Sequence, residues 1–373
     1  MRSIGLSAPD ISQAEIDAVV AVMKTNSLSL GPKLPEFEQN FADYVGRKYA
    51  VAVNSGTSAM FLVMAAMGVG PGDEVITTPF SFITTTNVIL MVGATPVFVD
   101  IDPETYNIDV NKIEAAITDK TKAIIPVEVF GNPKDLDKVY EIALEHGLYC
   151  LEDSCEALGS EVNGKKCGTL GHASTFAFYP NKQMTTGEGG IVLTDDKKIA
   201  DMCNSLRNQG RDPDAGWLAH ARLGYNYRLS DINCAMGVEQ LKRIDGFIGK
   251  RRHVAALYNE AFAGEDRLVL PKDPENCLVD WFVYVVRLAE KYTQQDRDKV
   301  LEVLRSKNIG CNNYFTPIHL QPFIAEMLGC KEGDYPITEK VAQRTIALPF
   351  HNNLPKEDVE YVVAELRGIL DSL

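Results

Sequence analysis

Apolar residues near the start of the chain recur at the spacing of one helix face. Ile16, Val19, Val20 and Met23 keep this period, and Ser12 with Glu15 forms a capping box ahead of them, which predicts a helix over 12–24. Past a loop marked by Gly31 and Pro32, the positions Phe37, Phe41 and Val45 predict a second helix. The pattern then alternates between short apolar runs and helical periods. YAVAV (49–53), EVITT (74–78), PVFVD (96–100), AIIPVEV (123–129), LYCLE (148–152), STFAF (174–178) and GGIVLTD (189–195) read as strands. SAMFLVMAAM (58–67), the segment 82–91 and KDLDKVYEIALEHG (134–147) read as helices, the last ended by glycine. Such alternation predicts an α/β fold: a mainly parallel central sheet with helices on both faces.

Near residue 245 the rhythm changes. A long amphipathic helix over about 235–263 is followed by the strand WFVYVVRL (281–288) and by helices near 295–307 and 355–371. We therefore expect a large α/β domain over 1–245 and a smaller C-terminal α+β domain over 246–373. The sequence contains no internal repeat, low-complexity tract or long flexible linker.

Composition narrows the function classes. The 373 residues carry a net charge of −14 with no basic cluster, which argues against nucleic acid and anionic membranes as partners. An acidic protein can still hold a phosphorylated small molecule through local amides. Eight scattered cysteines form no C-x-x-C pair, and six scattered histidines show no metal-ligand spacing, so no metal is expected and a reducing cytoplasm is. No signal-like h-region opens MRSIGLSAPD, and the apolar runs are too short to span a bilayer.

Four stretches carry candidate chemistry, and open α/β sheets bind ligands at the carboxyl ends of their strands. NSGTSAM (54–60) lies between a strand and a helix. Gly56 permits close approach there, and the amides of Thr57 and Ser58 would open a phosphate-attracting helix start, although an ordinary cap reads the same way. In LEDSCEALGS (151–160), Asp153 follows a buried strand, where a carboxylate needs a cationic or hydrogen-bonding partner or serves as a helix cap. In FYPNKQMTTGEGG (178–190), Lys182 follows a proline turn and precedes a glycine run. A turn lysine is commonly solvated, but a desolvated one forms Schiff bases. GYNYRLSDINCAMGVEQL (224–241) brings Asn226, Tyr227 and Arg228 before a helix. A phosphate site, a carboxylate and a lysine in this chain order are what pyridoxal phosphate requires.

These motifs resemble the DegT/DnrJ/EryC1/StrS sugar aminotransferases, of pyridoxal phosphate fold type I. Further landmarks are LSLGPKLPEFE (28–38), TPFSFITTTN (78–87), GATPVFVDID (93–102), VFGNP (129–133), LRNQGR (206–211) and YFTPIHLQPF (314–323), so the likeness covers nearly the whole chain. The resemblance implies that Lys182 is the Schiff-base lysine and Asp153 the partner of the pyridinium nitrogen. It implies that Phe82 stacks on the ring and that Gly56, Thr57 and Ser58 bind the phosphate. Asn226 would reach the cofactor of the opposite subunit, giving a homodimer with shared active sites. Tyr314 and His319 fall in a segment near the sugar, where packing roles compete. The implied reaction moves an amino group from an amino acid, L-glutamate in the family, to a ketosugar carried on a nucleoside diphosphate, in amino-sugar, surface-polysaccharide or antibiotic-sugar biosynthesis. Alternatives are a sugar dehydratase, which the lysine disfavours because that chemistry is associated with histidine there, and a non-catalytic regulator.

Two departures stand out. Glu156, which the resemblance places among the cofactor-binding residues, occupies a position that is commonly glutamine or histidine, so we expect it to be protonated, turned away or bound to another group. Ala177 stands where a phosphate-binding serine is common, and Asn181 or Ser174 is expected to take over that contact.

Overall fold

In the computed structural model, which describes residues 2–212, 216 and 219–373, seven of the apolar runs become strands of one sheet. They are β1 (Tyr49–Val53), β2 (Glu74–Thr77), β3 (Thr95–Phe98), β4 (Thr121–Ile124), β5 (Tyr149–Asp153), β6 (Ala173–Ala177) and β7 (Gly190–Thr194). Their order is β1-β7-β6-β5-β4-β2-β3; β7 runs antiparallel to both its neighbours and every other pairing is parallel. Alternate residues point to opposite faces. Val51, Val53, Val75, Ala123, Leu151 and Val192 pack on one face against the Gly56–Ala66 helix. Ala52, Ile191 and Leu193 pack on the other against Phe37 and Phe41 of the Lys33–Val45 helix, and Ile76, Ile124 and Cys150 pack there against Val139 and Ala143 of the Leu136–Glu145 helix. Apolar residues on both faces explain why these strands read as unbroken apolar runs.

The C-terminal part has an antiparallel three-stranded sheet, β8 (Leu268–Val269), β9 (Tyr284–Leu288) and β10 (Thr345–Leu348), in that order. Helices Ile244–Ala261, Gln294–Ser306 and Lys356–Leu370 cover it, and its core joins Tyr258, Phe262, Tyr284, Leu304, Leu348 and Leu366. Among the described residues no helix is long and apolar enough to cross a membrane.

Three expectations need correction. The helix foreseen over 235–263 is two helices, Asp231–Lys242 and Ile244–Ala261. Arg243 stands between them, and its guanidinium reaches Asp10 and Glu15 at 2.6 Å each, so a tertiary ion cluster sits where the periodicity ran through. The run 123–129 pairs as a strand only to Ile124. Beyond it pairing is reduced to a single parallel bridge between Val127 and Asp153, in which the Pro126 carbonyl accepts the Asp153 N–H. The strand in WFVYVVRL begins at Tyr284, because Phe282 donates its N–H to the Phe130 carbonyl instead of joining the ladder. The first helix forms at Gln13–Met23 with its capping box, yet Ile16, Val20 and Met23 lie 48%, 41% and 63% exposed.

Candidate active site

The carboxyl ends of β1, β2, β4, β5 and β6 and the start of β7 converge on one cleft of about 680 Å³. Ser55, Gly56 and Thr57 line it after β1, Ser81 and Phe82 after β2, and Val127 after β4. Asp153, Cys155 and Glu156 follow from β5, Ala177, Tyr179, Asn181 and Lys182 from β6, and Glu188 and Gly189 precede β7. The C-terminal part closes it with Phe282, Asn312 to Thr316, Ile318 and Gln321.

Lys182 is not a solvated loop charge. The turn from Tyr179 closes when the Lys182 N–H donates to the Tyr179 carbonyl at 2.9 Å, and the side chain then enters the cleft. Its Nζ donates to Glu156 Oε1 at 3.4 Å and lies 3.9 Å from the centroid of the Phe282 ring. Asp153 ends β5 with its Oδ1 accepting the Cys155 N–H at 3.3 Å. Burial pushes the Asp153 carboxyl above its usual range, against the pull of Cys155 and of the Lys182 charge. A buried carboxylate with so few donors suits a cationic ligand atom. Burial likewise raises Glu156, with Lys182 and the Phe130 N–H, which donates to Oε2 at 2.9 Å, acting the other way. Glu156 is therefore bound to other groups, one of the three arrangements expected of it.

At the start of the Gly56–Ala66 helix, Ser55 caps by accepting the Ser58 N–H at 3.1 Å, and the Ser58 hydroxyl donates to Asn54. Ser58 is thus committed to the cap and does not line the cleft, whereas Gly56 and Thr57 do. A Cβ on Gly56 would come within 2.8 Å of Ala177 Cβ and 3.2 Å of Cys155 Sγ, so glycine is needed for this close approach. Asn181 lines the cleft with its buried Oδ1 unpartnered among the described residues. Ser174 cannot substitute for a serine at 177. It lies on the opposite strand face, fully buried, donating to the Gly168 carbonyl at 2.8 Å.

Phe82 is 63% exposed at the cleft, an uncommon setting for phenylalanine and one that suits a ring-stacking role. Tyr314 lines the cleft, but His319 does not: it is fully buried, with Nε2 3.0 Å from Glu339 Oε1 and its ring edge-on to Tyr335. Asn226 is exposed and lies outside this chain's own cleft. Sequence reasoning missed Phe282, because a phenylalanine in an apolar strand run carries no signal of its own. It also missed Tyr179, Glu188, Asn312 and Asn313.

The sequence pattern of the DegT/DnrJ/EryC1/StrS aminotransferase family matches residues 9–367. The chain belongs to that family. As a member it is a pyridoxal-phosphate-dependent sugar aminotransferase of fold type I. It is 39% identical to the GDP-perosamine synthase of Caulobacter vibrioides, over 98% of each chain. It is 38% identical to the spore coat polysaccharide biosynthesis protein SpsC of Bacillus subtilis, over 98% of this chain and 96% of that one. Among solved structures, the putative sugar aminotransferase Spr1654 from Streptococcus pneumoniae, in its PMP form, superposes with a TM-score of 0.95 at 29% identity, covering all of this chain and 98% of the other. The residues present fit the cofactor: the under-donated Asp153 suits a ring nitrogen, Lys182 an aldehyde, the helix start at Gly56 and Thr57 a phosphate, and exposed Phe82 a ring face.

Proposed function

We propose that this aminotransferase moves an amino group from L-glutamate to a ketosugar carried on a nucleoside diphosphate, as a homodimer with shared active sites, in amino-sugar or polysaccharide biosynthesis. The observation that carries this reading is that Lys182 and Asp153 share one cleft with a helix start and an exposed aromatic ring. The names of the Caulobacter and Bacillus relatives support a nucleotide-linked sugar and a polysaccharide pathway. The exposed position of Asn226 outside its own cleft and the apolar stripe of Ile16, Val20 and Met23 support the dimer. Eight free cysteines support a cytoplasmic setting. A division into domains near residue 245 is supported by the separate cores on either side, with the Ile244–Ala261 helix contributing its first residues to one and its last to the other.

Bound pyridoxal phosphate supplies an aldehyde that condenses with amines and a ring that accepts the electron pair left when a C–H bond breaks. Lys182 would hold the aldehyde carbon, Asp153 the ring nitrogen, Gly56, Thr57 and Asn181 the phosphate, and Phe82 one ring face. Lys182 Nζ removes the α-proton of the amino donor and, in the return half, delivers a proton to the sugar carbon, acting as base and then acid. Asp153, in its dry setting, keeps a proton on the atom it pairs with. Tyr314 and the Asn312–Asn313 pair face the space left for the sugar.

Lys182→Ala should abolish amino transfer while leaving circular dichroism and melting temperature unchanged; retained turnover would refute the assignment. The wild type should show an absorbance band near the visible edge that borohydride removes. A panel of nucleotide-linked 3-keto and 4-keto sugars, each incubated with glutamate, tests the substrate class. Transfer to none of them sinks that part of the reading.

A further inference from the structure

Two carboxyl groups stand near Lys182, and only one receives its proton-bearing atom. Lys182 Nζ donates to Glu156 Oε1, while the other oxygen, Oε2, accepts the Phe130 N–H. That N–H is aimed by a strained turn. Phe130 has φ 61° and ψ 14°, a left-handed conformation that a bulky residue rarely adopts. The next residue, Gly131, has φ 94°, and a Cβ there would fall 2.7 Å from the Asp280 carbonyl and 3.0 Å from that of Glu156. Gln183, adjacent to the lysine, donates its side-chain amide to the carbonyls of both Glu156 and Asp280. The Glu156–Lys182 pair is thus clamped from both sides, and Phe282 covers Nζ with a hydrocarbon face. Structure of this kind is unneeded for a carboxylate that only avoids a ligand.

We infer that Glu156 is a catalytic acid–base that takes the Lys182 ammonium proton when the amine must attack a carbonyl and returns it to the departing hydroxyl. The inference rests on the reading of Lys182 as the Schiff-base lysine. An ammonium has no lone pair, so Nζ first passes a proton to Glu156 Oε1. The freed pair forms the N–C bond as the carbonyl π pair moves to oxygen, which takes a proton from the nitrogen. Glu156 then protonates that hydroxyl, the C–O bond breaks to release water, and the nitrogen pair closes the C=N bond. One water leaves, the C=N nitrogen keeps one proton, and Glu156 ends ionised as it began. Among the described residues, the titratable groups Lys182, Asp153 and Tyr314 act on this carboxyl. Burial and Asp153 favour its neutral form and Lys182 the ionised one, so both forms that the cycle needs are within reach. Phe130 N–H holds Oε2 throughout and leaves Oε1 free to carry the proton.

The test is the rate at which cofactor-stripped, full-length chain loads pyridoxal phosphate, followed by stopped-flow absorbance, with the modified lysine mapped after borohydride reduction. Glu156→Gln keeps the size and the acceptor for Phe130 but cannot take the proton. Loading at Lys182 should slow about 100-fold with final absorbance and melting temperature unchanged. Glu156→Ala should slow similarly and regain speed with added formate, a rescue that a packing role would not show. If the glutamine variant fails to fold, the formate response of the alanine variant decides, and no rescue counts against the inference. Loading at Lys182 at the wild-type rate in the glutamine variant overturns this inference alone. Labelling of another lysine in the wild type overturns the reading of Lys182, and this inference with it.

Discussion

Glu15 and Glu156 are both buried glutamates, and the protein treats them in opposite ways. Glu15 accepts the Ser12 N–H at 2.7 Å, the Ser12 hydroxyl at 2.5 Å, Gln240 at 2.8 Å and Arg243 at 2.6 Å. Burial alone would raise it, but these donors hold it down to about 2. Its neighbour Asp10 is likewise held low, despite burial, by Lys250 and Arg243. Glu156 has one lysine and one backbone N–H, Asp153 has less, and burial wins at both. Glu128, just behind the cleft, is fully buried, and burial with the nearby Glu152 and Asp153 pushes it well up against the weaker pull of a backbone N–H and Ser154. Desolvation has the same sign in each place, so the number of donors decides whether a carboxylate fastens elements together or stays poised for chemistry.

That contrast can be broken most sharply at Asp153. Asp153→Asn should lower kcat/KM for amino transfer about 1,000-fold without lowering the melting temperature, since no well-paired charge is lost. A lower melting temperature with intact turnover would reverse the comparison. At the other region, Arg243→Leu should leave Glu15 and Asp10 short of a partner and cost about 2–3 kcal/mol in urea unfolding, reduced from a fully buried pair by the exposure of Arg243, with KM unchanged. The pH dependence follows from Glu15 itself. Its folded value of about 2 lies below the ordinary 4.5, so its contribution is complete above 4.5 and disappears as pH falls toward 2. Unfolding free energies from urea titrations at pH 5 and pH 3 should differ by on the order of 1–2 kcal/mol, and Glu15→Gln should flatten that difference. The smallest effect belongs to Glu128. Its folded value is raised, so the stability it contributes is complete below the ordinary carboxylate range and is lost as pH rises through the raised value. Glu128→Gln should therefore gain about 1 kcal/mol at pH 8 relative to wild type and little at pH 4, measured by the same urea titrations.

Much of this was legible in the chain. Strands buried on both faces announce themselves as Val/Ile/Leu runs, and the capping box at Ser12 and Glu15 is a local contact three residues long. That the turn at Gly56 and Thr57, Asp153 and Lys182 would share one cleft was readable because each sits at a strand end, where an α/β sheet gathers its loops. Glu156 was expected among the cofactor contacts and flagged as a departure from the usual residue type. Its partners were invisible, since the Phe130 N–H depends on a left-handed turn and Nζ arrives from another strand. The break at Arg243 was hidden because helical periodicity continues across it, whereas the ion cluster that occupies it is drawn from the N-terminal segment. Ser174 and His319 were plausible by residue type and lie outside the cleft, for strand-face and burial reasons that spacing does not reveal.

Local periodicity, caps and glycine positions by themselves determined the class of sheet, the order of its elements and the lysine and aspartate at its cleft edge, because those signals come from neighbours a few residues apart. Only the packed molecule decided which carboxylates are satisfied, which face Phe282 covers and what holds Glu156 against Lys182. Such choices depend on how many donors distant segments bring to one buried oxygen, a count the linear chain does not contain.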